Sequence, residues 1–486
     1  MAYKHGVYVT EQATSLTAPA AATAGLQVVF GTAPVNLAAD PYAATNVPLL
    51  CYSYAEAAAA VGYDADFANY TLCQSIAACF QVLSAAPIVL VNVLDPTKHT
   101  KAVAATTVAV NAHRATLEAK GLLADTVTVQ DGTKATTYNA GSDYLATFDS
   151  NGYLVITLLP GGTAYAATTL SVAGTAIDPS KVTAADVIGG VDTTTGAESG
   201  LEVVRQVYPA LGLVPGILLA PGFSTDANVA AALQAKCTNI NGGFKAICIV
   251  DVDTTTTKKY TDVKAAKEAQ GLTDVNCYAV WPMVRIGTTI YSLSALAAAR
   301  MVVLDTANGD VPYASPSNKS LPISGTVLAD GTDVLLDREQ GNVINGYGVA
   351  TAVNMAGWKL WGGESAAYPT NTDPKDRWID SRRFFNWRAN SIILTYAAKV
   401  DDPTNARLIE NIVDSENIAG NGFVGAGYCA SYLCKYLGSE NGITNILGGT
   451  VVFHLYIGKY TPAKEMDFIL EFDPAALEAA LAAVAG

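Results

Sequence analysis

Only four imidazoles stand in the 486 residues, at His5, His99, His113 and His454, and they bound the chemistry open to the chain. Acid-base and hydrolytic catalysis near neutral pH commonly recruits histidine, because its proton affinity lies close to the working pH. His5 sits on a short terminal segment, His99 and His113 border a threonine-rich region, and His454 alternates along a candidate strand. Each reads as a structural or solvated residue. A serine nucleophile needs a partner base and a sharp turn that exposes its hydroxyl. The nearest case, Gly222-Phe223-Ser224, lacks the following glycine, and residues 200–350 contain no histidine.

Residues 420–425, GNGFVG, fit G-x-G-x-x-G by letters. A dinucleotide site requires a strand immediately before that motif, so that the phosphate sits between the strand end and a helix start. Residues 407–418 have helical spacing instead, which makes the motif a turn between helices. Asp125, Asp131 and Asp143 lack the calcium-loop spacing and read as a solvated surface. The eight cysteines never form Cys-x-x-Cys and lie in apolar surroundings, as buried reduced thiols do. No cofactor, metal or catalytic residue is expected.

Two side-chain groupings remain. Trp358, Trp361, Trp378, Phe384, Phe385 and Trp387 read as core packing between a strand and a helix. Between Lys359 and Lys399 basic residues exceed acidic ones, and Arg388, Thr395 and Lys399 follow one side of a helix, beside an apolar stripe of Phe385, Ala389, Ile392, Ile393, Tyr396 and Val400. Such a row could dock on an acidic partner, or be a solvated flank.

The elements that must carry these residues are legible from period and composition. Residues 26–31, 47–52 and 87–94 read as strands, 54–61 and 69–84 as helices. From residue 200 a β-α-β-α-β order resumes, with strands at 214–220, 244–252 and 277–284 and helices at 226–240 and 257–270, which predicts parallel strands. Residues 101–200 hold eighteen threonines and short β-like runs at 126–130, 144–148 and 153–159, a small all-β insertion. Near the other end, 357–363 reads as a strand that opens a last domain, and 380–400, 404–418 and 427–437 read as helices. Asp473-Pro474 caps a terminal helix.

The closing run, residues 449–472, predicts two strands around a hinge at 460–464. The second carries Met466, Phe468, Ile469, Leu470 and Phe472, and a short strand at residues 6–10 carries Val7, Tyr8 and Val9 at the other end. Terminal strands this apolar must pair with something, and pairing outside the subunit makes the chain an assembly component. Half of the residues are hydrophobic, which supports a folded chain, and the net charge of -14 argues against a nucleic-acid binder. Neither a secretory signal nor a bilayer-spanning helix is visible.

Taken in order, GVYVTE at 6–11, VVFGTAP at 28–34, VPLLCYSYAEAAAAVGY at 47–63, PGILLAPG at 215–222, YAVWPMV at 278–284 and ASPSN at 314–318 resemble the tail sheath proteins of contractile-tailed phages and related contractile injection particles. GWKLWGGES at 357–365, WIDSRRFFNWRANSI at 378–392 and TPAKEMDFILEF at 461–472 continue the resemblance. His5 replaces the proline usual before the opening glycine, and Glu364-Ser365 stands where Arg-Thr is frequent.

The resemblance implies an α/β fold: a subtilisin-like domain (26–100 and 201–350) interrupted by the all-β insertion (101–200), then an α+β assembly domain (351–459). Strand-donating arms would occupy 1–25 and 460–486. It implies a non-enzymatic structural subunit that stacks as hexameric rings around an inner tail tube and contracts from a metastable extended state. Partners would be further copies of the chain, the tube protein, and baseplate and tail terminator proteins, with no direct nucleic acid and no membrane insertion. The location implied is a virion tail assembled in the bacterial cytoplasm, or a headless bacteriocin-like or injection particle. Val7, Tyr8, Val9, Met466, Phe468, Ile469, Leu470 and Phe472 would form the arms, and Arg383, Arg388 and Lys399 would face the tube. Two other classes compete. A hydrolase-like enzyme lacks its ordered Asp, His and Ser set, and a secreted surface-layer protein lacks the expected signal peptide.

Overall fold

The computed structural model describes residues 23–483. The strand expected at residues 6–10, with Val7, Tyr8 and Val9, lies outside the described residues. Gln27–Gly31 is buried at all five positions and pairs in parallel with Ile88–Asn92 on one side and Ile217–Leu219 on the other. The sheet continues in parallel through Ile247–Asp251, Cys277–Val280 and Val349–Asn354. Strands of this kind are covered on both faces, which is why their sequences are apolar without alternation. Antiparallel strands close both edges, Leu49–Cys51 at one and Trp358–Trp361 with Lys319–Ser320 at the other.

The strand expected to open a last domain, Trp358–Trp361, therefore belongs to the main sheet. Its hairpin partner Val349–Asn354 is buried along its first five residues, so the apolar pattern that suggested a new domain edges the first.

The all-β region leaves the sheet after Ile88–Asn92 and returns before Ile217–Leu219, the two strands that flank Gln27–Gly31, so the insertion interrupts no hydrogen-bonded pair. A two-stranded ribbon of Gly190–Val191 and Glu198–Ser199 follows two larger sheets, one built on Thr100–Ala109 and Thr169–Ile177, the other on Leu154–Leu158 between Arg114–Leu117 and Tyr144–Phe148. The two larger sheets enclose a separate core of which Leu122, Val129, Ile156 and Val172 are members. Beyond Ile177, Val187, Leu201 and Val203 pack into the main core, so the threonine-rich composition outlasts the insertion's sheets.

The last part of the chain adds three elements: the helix Ile379–Tyr396, the helix Ala406–Gly425 and the antiparallel hairpin Cys429–Tyr436 with Phe453–Lys459. The first hairpin strand corrects the helix expected at 427–437. A register shift between Cys429 and Ser431 offsets the buried positions Cys429, Tyr432 and Cys434, and that offset imitates helical spacing. All eight cysteines are buried and free.

Candidate assembly site

The helix Ile379–Tyr396 joins the hairpin to the main sheet, and its orientation reverses the expected one. The stripe Phe385, Ala389, Ile392, Ile393, Tyr396 and Val400 is half-buried to exposed, with Val400 at 70 %. The buried side carries Arg383, Phe384, Asn386, Trp387, Arg388 and Asn390. Arg383, Asn386, Arg388 and Asn390 go inside because each of these four meets a partner, which removes the cost of burying an unpaired polar group. Asn386 donates to the Ala246 carbonyl at 3.2 Å and to Asn276 Oδ1 at 2.9 Å. Asn390 accepts from Lys245 N–H at 2.8 Å and donates to Lys245 O at 2.7 Å.

Arg383 and Arg388 are likewise interior, which corrects their expected place in an exposed basic row. Arg383 Nη1 lies 3.2 Å from Asp305 Oδ1, and Nη2 bonds Asp305 Oδ2. Arg388 Nη2 donates to Glu416 Oε1 at 2.6 Å and Nε to Tyr432 Oη at 2.7 Å. Tyr432 and Tyr396 in turn donate to Glu416 at 2.7 and 2.8 Å. Burial alone would lower the Arg388 pKa, but Tyr432 and Glu416 outweigh it and hold the guanidinium above its usual value. Of the three tube-facing candidates only Lys399 stands at the surface, 3.5 Å from Asp402.

The hairpin packs one face on the helix Ala406–Gly425, where Gly420 gives Tyr432 its place: a Cβ there would lie 2.1 Å from the ring. The G-x-G-x-x-G letters thus fall inside a helix, where Gly420 alone of the three glycines serves packing, which corrects the expected turn. A small cluster of Phe384, Trp387, Phe423, Tyr428 and Ile457 ties the hairpin to the helices, so the expected aromatic packing holds for Phe384 and Trp387, while Trp358 and Trp361 lie in the main sheet. The two hairpin strands pair with each other alone among the described residues, and on the outer edge of the first, Asn417 bonds both the N–H and the C=O of Cys434, at 2.7 and 3.2 Å.

Lys459 ends the hairpin. Its Nζ donates to Asp380 Oδ2 at 3.0 Å and to Tyr313 O at 2.7 Å. From Tyr460 the chain runs to the helix Pro474–Ala482 without a strand partner among the described residues, so the second closing strand is present only as an unpaired segment. Along it Met466, Phe468, Ile469, Leu470 and Phe472 are exposed, Phe468 at 85 % and Leu470 at 95 %. Asp473 caps the helix by accepting from Ala476 N–H at 3.0 Å.

The main sheet offers a second concavity. A cleft of about 730 Å³ opens near the carboxyl ends of its parallel strands, lined by Thr32, Thr71, Asp251, Asp253 and Ser292 among others. Ser224 Oγ donates to buried Asp251 Oδ2 at 3.2 Å, and Ser294 N–H donates to Oδ1 at 3.0 Å. Burial raises the Asp251 pKa against these hydrogen bonds. No described histidine lines the cleft. His99 lies 3.5 Å from Asp186, His113 stacks on Tyr165 and His454 contacts Glu440 at 2.6 Å, each in a local structural contact. Among the described residues no group of His, Cys, Asp or Glu is arranged to hold a metal, and no helix is long and apolar enough to cross a membrane.

Comparison with known proteins shows what the chain is similar to. The chain is 27 % identical over 488 residues to the tail sheath protein of Burkholderia phage BcepMu, covering 94 % of each chain. The chain is a homologue of phage tail sheath proteins. The tail sheath protein of Escherichia phage P2 is 24 % identical over 59 % of this chain and 69 % of its own. The fold is shared with the sheath subunit in the contracted-state sheath complex of the extracellular contractile injection system PVC, at a TM-score of 0.59 and 14 % identity over 98 % of this chain and 99 % of that one. No family model matches the sequence.

Asp305, Asp380, Glu416, Tyr432 and Lys459 also belong to the site, and none of them stands out by motif in the sequence. The spacing of Asp380 and Arg383, one helical turn apart, was the available signal.

Proposed function

We propose that this homologue is the structural subunit of a contractile tail sheath. Copies stack as hexameric rings around an inner tail tube, and each donates its terminal segments to the hairpin sheet of neighbours. The observation that carries this is the apolar segment 466–472, unpaired in the subunit, in a chain whose hairpin has only two strands among the described residues. Covering a large apolar side chain is worth about 1.5–3 kcal/mol, so five of them favour strand addition strongly. Contraction would exchange weak contacts for larger ones while the rigid domains turn about residues 460–464, without nucleotide hydrolysis. A contact that does not close on itself generates the helical array.

The role is non-enzymatic, supported by the relatives' sheath identity and by Ser224 being held on a buried carboxylate. Partners are further copies, the tube protein, to which Lys399 is the surface candidate, and the baseplate and terminator proteins at the ends. The particle is a virion tail assembled in the host cytoplasm. A headless bacteriocin-like or injection particle would use the same subunit, and microscopy of the purified particle for a DNA-filled head separates the two. Deleting residues 1–15 should leave a folded subunit that forms no tubes in negative stain; tubes of normal length after the deletion contradict the reading.

A further inference from the structure

The roots of both terminal segments meet on one turn of one helix. Asp380 holds Lys459, the last residue before the segment 460–483. Arg383, one turn on, donates from Nη2 to the Ala24 carbonyl at 3.4 Å while it grips Asp305. Asp310 accepts from the N–H groups of Ala24 and Gly25, which secures the same root from a second side. A third side is closed by Gly216, where a Cβ would lie 2.2 Å from Ala24 O. Ala24 and Ile457 also share the small cluster around Phe384 and Trp387.

The side chains of Lys459, Asp380, Arg383 and Asp305 are 6, 2, 2 and 1 % exposed, so water screens their interaction little. Three carboxylates, Asp305, Asp310 and Asp380, thus face two cations, Arg383 and Lys459. Asp380 Oδ1 has no hydrogen-bond partner, so its carboxylate depends on Lys459 and on the nearby guanidinium.

We infer that Asp380 and Arg383 couple the two terminal segments: loosening the Lys459 root redistributes charge within this buried cluster and loosens the Ala24 root with it. Removal of Lys459 leaves Asp380 with Arg383 as its nearest cation, and the guanidinium must then serve two carboxylates instead of holding Ala24. The consequence for assembly rests on the sheath reading above: a neighbour that captures one segment would release the other for exchange. The coupling itself belongs to the single subunit.

The test is hydrogen-deuterium exchange by mass spectrometry on the full chain kept dilute and unassembled. In Lys459→Met, exchange should rise at least tenfold in peptides covering residues 458–464 and also in those covering 24–26, with Lys399→Met moving neither. A rise confined to 458–464 overturns the proposal. Asp380→Asn, which keeps the side-chain shape, is the second variant should the first fail to fold: it should also raise exchange at both roots, and an unchanged 24–26 region overturns the coupling equally. Tube formation is scored separately, so lost coupling with normal tubes leaves the sheath reading intact, and lost tubes with intact coupling leaves the coupling.

Discussion

Arg388 and Glu416 face each other inside the protein, Nη2 2.6 Å from Oε1, with side chains 2 and 3 % exposed. The pair joins the helix Ile379–Tyr396 to the helix Ala406–Gly425, and Tyr432 brings in the hairpin. Breaking a buried pair by removing one partner strands the other charge and costs about 3–5 kcal/mol, whereas replacing both with apolar residues is often close to neutral. Arg388→Met should therefore lower the local opening free energy of the helix Ala406–Gly425 by that order in native-state hydrogen exchange. Arg388→Met combined with Glu416→Leu should recover much of the loss, and equal loss in both variants contradicts the pairing.

Gly420→Ala and Gly422→Ala separate packing from helix propensity. A methyl at Gly420 would meet the Tyr432 ring, while nothing stands within 4 Å of one at Gly422. Overpacking costs about 1–3 kcal/mol, and an open helical Gly→Ala gains about 0.5–1 kcal/mol. The first variant should lower the thermal unfolding midpoint of the hairpin region and the second should raise it slightly, as followed by near-ultraviolet circular dichroism.

Asp310 titrates at about 6, raised from 3.8 by burial first and then by the charge of Asp305, with Arg383 opposing. Between these two values the folded protein binds a proton that the unfolded chain does not, so this group makes folding less favourable as pH rises through 6. Its contribution improves as pH falls from 7 towards 5 and levels off below the unfolded value. Carboxyl-detected NMR should find the midpoint near 6, and Asp310→Asn should flatten that part of the stability profile.

The parallel sheet was legible because residues such as Val89, Leu90 and Val91 are apolar on both faces, which only a covered strand tolerates. The helix Tyr54–Val61 and the Asp473 cap follow from local rules and match the expected positions. The helix Ile379–Tyr396 misled the reading of its faces because its interior side is satisfied by long-range partners such as Asp305 and Glu416, which no window of the sequence reveals. The strand Cys429–Tyr436 misled the reading of its type through its register shift. The apolar arm at 466–472 was visible as a strand in need of a partner, and it stands unpaired in the single subunit.

Strand donation by residues 466–472 is tested most directly by negative-stain electron microscopy of the chain truncated after residue 465, beside the full chain and the Phe468→Glu, Leu470→Glu double variant. Because residues 466–472 are exposed in the subunit, both altered proteins should keep the thermal unfolding midpoint of the full chain. The full chain should form hollow tubes, and neither altered protein should. Tubes of normal diameter and length from the truncated chain would contradict strand donation.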